Sequence, residues 1–597
     1  MQHTKDQPMR WSTFSLLMII AIVLAGFYRF PDLDLRPMHT DEAILGVKFL
    51  EFWRTGYFDY SPADFHGPFL HYLTRAFAWM GHWHDPAEVT DASLRGVIAV
   101  CGVGLVLLTV FLTDALGRMA TVMAMLMMAA SPMMVFYSRY FIMEVPFVAL
   151  LAVFMIGCWR FAQGKSRLWL LLSGAALGCL HATKETFVIN LAAMLCGWIA
   201  ARVVTEGFKK RSSGMRLMDR NKEVKTPWLW IAVTGVLVSV ALFSGGFKHW
   251  DDVRESITTY ASYAKRSGGA GGHEKPWNYY LELMFWHSDF WVWTELMIGG
   301  LAVIGMLKAF FGSYGRDTHR QAFLVFLSIY ALAALTAYSI IPYKTPWTIL
   351  SVQWALTLLA GVGACALYRF SSGRLYHFVI GLLLMGGIYH LCYMSKVTLY
   401  HPVSTNGAEQ PNMRGPFLYS HTSMSALKLV TRLRELAAFA PKEFAAQVIN
   451  IDSGWPLPWY LRGVPDIGYQ MQVPQGLINA PVMVVDVGQM PAVQAKLAGK
   501  PYESDFFSLR PDVNVALLVE KGLWDRFLAA KSGAAAPAKA PSSPVPNTRP
   551  AATPAQPVAP PAREPAPAAI VPPTPASPAA PPSTSPAPVA PATAPPP

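Results

Sequence analysis

Charge is the scarcest ingredient of this chain. Asp, Glu, Lys and Arg together make up only 14% of its 597 residues, against 53% hydrophobic residues, and the mean hydropathy is +0.31. That balance excludes an ordinary soluble globular protein and fits a multi-spanning membrane protein. Cysteine is also sparse. The six, Cys101, Cys158, Cys179, Cys196, Cys365 and Cys392, all lie in apolar segments, which offers neither a disulfide framework nor a CxxC metal site. P-loop, glycine-rich dinucleotide, GxSxG and HExxH patterns are missing, so the chemistries those motifs support are set aside. No small-residue cleavage site follows the first apolar run, which therefore reads as an uncleaved span. The net charge of +12 does not imply nucleic acid, because the Lys and Arg gather in short loops where they set topology and meet anionic headgroups.

What the chain does have is apolar runs of spanning length. A helix needs about 20 apolar residues to cross the hydrocarbon, and about eleven such runs fall near 11–28, 93–113, 119–136, 142–158, 168–182, 186–203, 227–247, 288–311, 321–341, 347–368 and 375–395. With the N-terminus inside, the basic loops at 160–167, 202–225, 316–320 and 369–374 all fall on the cytoplasmic side, as the positive-inside rule requires. The same alternation puts 30–92, 137–141, 182–186, 248–287, 342–346 and everything after about 396 on the outer face. The expected organisation is a transmembrane domain at 1–395 with its first outer loop at 30–92, an exported α/β domain at 396–531, and a tail at 532–597. In the exported domain, 423–439 has helical spacing, 447–451 and 481–487 are β-branched runs, and 522–528 closes with a helix. The tail is Pro and Ala with almost no aromatic residue, which predicts a disordered, partly polyproline extension.

The residues that could carry chemistry gather in the outer loops. Asp41 and Glu42 open an apolar pattern at 44–53 that predicts a helix lying in the membrane interface. A carboxylate held there loses hydration and becomes a better proton acceptor; equally, Asp41 and Glu42 could be a helix cap and its first-turn partner. The loop continues to His66, presented by a Gly-Pro turn. Three further outer loops carry cations, at Arg139, Lys184 and Lys344, the last beside Tyr343. Each could be interface punctuation, but a cation retained against the charge bias of outer loops is a functional candidate. A carboxylate base facing Arg, Lys and His suits an anionic phosphate leaving group, with a lipid tail among the apolar helices below.

These residues also carry a resemblance. Met38-His39-Thr40-Asp41-Glu42-Ala43, Phe65-His66-Gly67-Pro68, Ser138-Arg139-Tyr140-Phe141, Thr183-Lys184-Glu185, Tyr343-Lys344-Thr345-Pro346-Trp347 and Trp455-Pro456-Leu457-Pro458-Trp459-Tyr460-Leu461-Arg462 resemble the GT-C superfamily of polyprenyl-phosphate-sugar-dependent glycosyltransferases. Within it they are similar to a bacterial and archaeal group related to protein O-mannosyltransferases and labelled flippase-associated. The resemblance covers roughly residues 10–530 and implies an α-helical multi-span fold of GT-C type with a small exported domain. It implies that Asp41 is the catalytic aspartate, with Glu42 completing the pair, and that His66, Arg139, Lys184, Tyr343 and Lys344 meet the donor phosphate. His66 departs from relatives that carry Lys before a related turn, and a neutral imidazole would donate one hydrogen bond where Lys brings a full charge.

The reaction implied is an inverting transfer of a sugar from a polyprenyl-phosphate carrier to an acceptor hydroxyl at the outer face. The acceptor could be lipid, protein or polysaccharide. No cofactor is required on this reading. A divalent metal is the variant to consider, with His39, Asp41 and His66 as the ligands on offer. The alternative from another class is a lipid-linked-glycan flippase. Transporters place ionisable groups at mid-membrane in paired, broken helices, whereas here the charges gather at one face.

Overall fold

The computed structural model describes residues 9–61, 66–209, 226–267, 274–286, 294–312, 318–400, 417–450, 454–497, 499–511 and 513–533. Asp64 and Phe65, the basic run at 210–225 and the tail from 534 lie outside them.

Seven helices are long and apolar enough to cross a membrane: Trp11–Arg29 (α1), Asp91–Leu116, Glu144–Ala162, Phe187–Val204, Thr318–Ile340, Pro346–Tyr368 and Arg374–Tyr400. Four shorter apolar helices, Arg118–Ala130, Leu168–His181, Pro227–Phe243 and Leu296–Phe311, occupy the remaining positions where the sequence predicts spans. The apolar runs are therefore helical where expected, with seven rather than eleven of full spanning length among the described residues. The 119–136 run is cut short because Ser131 and Pro132 start a separate helix, Pro132–Tyr137.

Helix Leu350–Tyr368 is buried along nearly its whole length, and small residues let its neighbours come close. A Cβ at Gly363 would lie 1.8 Å from the Leu301 carbonyl oxygen, and one at Gly305 would lie 2.1 Å from that of Leu359. Glycine here allows backbone-to-backbone packing where lipid supplies no hydrophobic drive between helices. Methionines at 123, 125, 127, 128, 133 and 134 fill the irregular space beside it. The outward faces carry Leu16, Ile19, Val23, Leu229, Val236, Leu382, Leu383 and Met385 as exposed apolar residues, surface that water would penalise and lipid would not.

The loop after α1 holds two helices, Thr40–Thr55 (α2) and Phe69–Met80 (α3), so a helix is present where the sequence predicts one at 44–53. Past the last long helix the chain forms a five-stranded sheet, β1 Ala446–Ile449, β2 Ile467–Gln470, β3 Val482–Asp486, β4 Tyr502–Arg510 and β5 Val513–Glu520. The order is β2-β1-β3-β5-β4. β1 pairs parallel with β2 and β3, while β5 runs antiparallel to β3 and β4. Side chains alternate between two cores: Val448, Val484 and Leu517 pack against helix Met424–Phe439, and Ile449, Val485 and Leu518 pack on the other face. The two helices and two of the strands follow the sequence reading; β2, β4 and β5 are additions to it.

Candidate active site

The start of α2 is built by its own first residues. His39 is the N-cap: its Nδ1 accepts from the Asp41 N–H at 3.1 Å, and the Glu42 carboxylate accepts from the His39 N–H at 2.8 Å. This is a reciprocal capping arrangement that satisfies two otherwise orphaned amides. It also shows that Asp41 is not the cap of α2. The capping is done by His39 and Glu42, so the Asp41 carboxylate is released from that duty and is about half exposed.

Glu42 has the opposite surroundings. It is fully buried and forms a two-point ion pair with Arg95, Oε1 to Nε and Oε2 to Nη2, both at 2.7 Å. It also accepts from the Phe141 N–H at 2.7 Å. Burial alone would raise the carboxyl, but Arg95 and the Phe141 and His39 amides bring it below its ordinary value. Arg95 spends its other protons on the carbonyls of Leu33, Arg36 and Pro37. Glu42 and Arg95 thus bind the loop before α2 to the start of helix Asp91–Leu116. Glu42, read from the sequence as completing a catalytic pair with Asp41, stands fully buried in this ion pair and ties two elements together.

His39 Nε2 lies 3.0 Å from the Tyr419 carbonyl. A carbonyl can only accept and the Asp41 amide can only donate, so His39 is a neutral imidazole with its proton on Nε2. Its 3.9 Å approach to the Asp41 carboxylate is therefore not an ion pair. Tyr419 is the hub of this mouth. Its ring stands 5.9 Å from Trp347 and 5.8 Å from the Lys275 ammonium. Burial, with Tyr343 and Asp41 close by, pushes its hydroxyl up to about 12. Lys344 is buried and donates to the carbonyls of Lys275, at 3.1 Å, and Ile341, at 2.5 Å. Its partners are dipoles, so its charge is not cancelled by a carboxylate among the described residues. Tyr343 is 40% exposed.

The other predicted cations stand differently. Lys184 is ion-paired with Glu144; burial alone would lower the ammonium, and Glu144 raises it. His66 Nδ1 pairs with Glu185, with the Tyr263 hydroxyl 3.0 Å away. Gly67 lets this turn lie against the 182–185 loop, where a Cβ would stand 2.2 Å from the Ala182 carbonyl oxygen. Arg139 donates to the carbonyls of Tyr28, at 3.2 Å, and Asp32, at 2.8 Å. The structure therefore brings Asp41, His39 and Tyr343 around Tyr419, joins Lys344 to the backbone of Lys275, whose ammonium faces the Tyr419 ring, and puts His66 and Lys184 in ion pairs with Glu185 and Glu144. His39 has both ring nitrogens engaged and could ligate a metal only by giving up one of those bonds. Among the described residues no group of three His, Cys, Asp or Glu side chains gathers as a metal site.

Two residues that sequence reasoning missed stand out. Arg36, three positions before His39, is buried with its guanidinium 4.2 Å from the Phe136 ring centre and 5.3 Å from that of Tyr140. Its Nη1 has no hydrogen-bond partner among the described residues. His421 bonds Tyr140 through Nδ1 at 2.9 Å while its Nε2 is likewise unpartnered. Burial and the nearby Arg36, His39 and Arg95 hold its imidazole well below the ordinary value. Arg36 had a signal in the sequence, a cation in the same loop as Asp41. His421 had none, since only the fold brings it there from 382 residues downstream of His39.

The family model for dolichyl-phosphate-mannose-protein mannosyltransferase matches residues 72–247. No curated protein matches the chain by sequence. Among solved structures, the fold is similar to that of ArnT from Cupriavidus metallidurans bound to undecaprenyl phosphate, with a TM-score of 0.53, 15% identity, and coverage of 86% of this chain and 99% of that one. The apo state of the same protein gives 0.52, 14%, 86% and 98%.

Proposed function

We propose that this chain is a membrane glycosyltransferase of the GT-C superfamily, related to protein O-mannosyltransferases, and transfers a sugar from a polyprenyl-phosphate carrier to an acceptor hydroxyl; the family match and the fold support that reading. The observation that carries the reading is the contrast between carboxylates at one end of the bundle. Glu42, Glu144 and Glu185 are each paired with a cation or imidazole, while Asp41 is half exposed beside a neutral imidazole.

In the proposed reaction Asp41 accepts the acceptor's proton as its oxygen attacks the anomeric carbon. The bond to the phosphate oxygen breaks on the opposite side, so the centre inverts. The charge that develops on the phosphate is met by groups whose own charge is uncompensated, chiefly the Lys344 ammonium and the Arg36 guanidinium, with the Tyr343 hydroxyl as a donor. Arg139 supports the loop that carries Arg36. His66 and Lys184, held by Glu185 and Glu144, form a neighbouring polar wall on which the carrier or acceptor rests. The undecaprenyl phosphate bound by the similar ArnT supports the donor class. A flippase gains no support from the family match or the fold.

The test is transfer in membranes or detergent with polyprenyl-phosphate sugars, pentosyl and hexosyl, offered one at a time. Asp41→Asn should cut turnover by about 10²-fold or more while undecaprenyl phosphate affinity stays within twofold. Wild-type turnover in that variant would remove the base. Lys344→Met should weaken undecaprenyl phosphate binding and donor use together, by about 2–4 kcal/mol in kcat/KM; unchanged affinity and turnover would return Lys344 to a structural place.

A further inference from the structure

The segment 455–462, conspicuous in the sequence, takes no part in the chemistry above, and its contacts explain it. Residues 38–40, the three immediately before Asp41, share four hydrogen bonds with the sheet-bearing part of the chain, beside the capping bonds of His39 within α2. The Met38 N–H donates to the Tyr460 hydroxyl at 2.7 Å, and the Met38 carbonyl accepts from the Thr422 hydroxyl at 2.7 Å. His39 donates to the Tyr419 carbonyl at 3.0 Å, and the Thr40 hydroxyl accepts from Arg510 Nη1 at 2.9 Å. Met38 precedes the cap of α2, so neither its amide nor its carbonyl finds a partner inside that helix.

The clamp is itself braced. Tyr460 donates to Asp91 Oδ2 at 2.8 Å and Trp459 Nε1 donates to Oδ1 of the same carboxylate at 2.7 Å. The Trp459 ring lies against Gly46 in α2, where a Cβ would approach it to 2.8 Å. One carboxylate at the head of helix Asp91–Leu116 therefore fixes the two aromatic residues that fix α2.

We propose that Tyr460, Thr422 and Arg510 are positioning residues that hold the start of α2 so that the Asp41 carboxylate meets the reacting hydroxyl. This rests on the reading of Asp41 as the base. A base must stand within hydrogen-bond reach of the proton it takes, and a displacement of about 1 Å can cost about 10²-fold in rate. Four hydrogen bonds from sequence-distant residues onto three consecutive positions are what such a constraint requires.

The test uses the full chain with Thr422→Val, Tyr460→Phe and Arg510→Met combined, substitutions that keep side-chain bulk and remove only the bonding groups. Hydrogen–deuterium exchange in peptides covering 33–45 should rise. Turnover per folded molecule should fall about 10- to 100-fold while undecaprenyl phosphate affinity stays within twofold, and Arg510→Lys alone, which can still donate to Thr40, should stay near wild type. Unchanged exchange, unchanged turnover, or a loss confined to KM would overturn the clamp. If the triple variant does not fold, Tyr460→Phe alone is read by the same criteria. Asp41→Asn is measured alongside. An inert Asp41→Asn with a silent clamp variant rejects the clamp only, whereas an active Asp41→Asn rejects the base on which the clamp depends, and both outcomes are distinct from the exchange result.

Discussion

Neighbouring carboxylates at 41 and 42 have opposite fates because a helix turns about 100° between them. Glu42 faces inward onto Arg95, and Asp41 faces the mouth. Breaking the buried pair leaves a charge without compensation, so Glu42→Gln should lower folded stability by about 3–5 kcal/mol. Replacing both as Glu42→Gln with Arg95→Met should cost less than the sum of the two single changes. Thermal unfolding in detergent reads both. The pH dependence has a definite sign. The folded Glu42 carboxyl lies below its ordinary value, so its contribution is complete above the ordinary carboxylate range and is lost as pH falls through the lowered folded value. Wild type should lose stability in acid more steeply than Glu42→Gln; parallel curves would remove Glu42 from that acid limb. Asp41 was visible in the sequence as a candidate, but its separation from Glu42 was not, because both residues fit the same local pattern.

At the scale of elements, the helices were legible and their closeness was not. Apolar runs announce membrane helices by composition, whereas the contact of Gly305 and Gly363 with facing carbonyls depends on which helix lies opposite. Gly363→Val should force helix Leu350–Tyr368 away from Leu296–Phe311 and cost folded yield and thermal stability, by about 1–3 kcal/mol or more; Gly381→Val, on a glycine with open space around its Cβ position, should not. In the sheet, β1 and β3 were readable as short β-branched runs. β4 was not, because it is an edge strand with Ser504, Asp505 and Phe506 exposed and owes its existence to pairing with β5. β5 itself, with Val513, Val515 and Val519, carried a strand signal that the sequence reading did not take up.

For the whole molecule, the alternation of basic and poor loops proposes one orientation, with the Asp41 end and the sheet on the outer face. Reporter fusions after Arg320 should then report cytoplasm, and fusions after Leu461 the periplasm or cell exterior. A cytoplasmic reading at Leu461 would put the sheet, and with it the clamp on residues 38–40, on the wrong side for a carrier sugar presented outside.

By itself the sequence determined the solvent, the helical runs, the sheet-bearing region after the last span and the loop that holds Asp41. Each of these follows from local composition and periodicity, which survive without tertiary structure. Only the tertiary structure decided which cations are compensated by a carboxylate and which are not. Lys184 and Lys344 look alike in the sequence, each in a short loop between spans, yet one folds against Glu144 and the other against carbonyl dipoles. It also decided that Tyr419, His421 and Tyr460 stand beside a loop some 380 to 420 residues earlier. Charge compensation and long-range hydrogen bonding are properties of pairs, and the pairs here are joined by the fold alone.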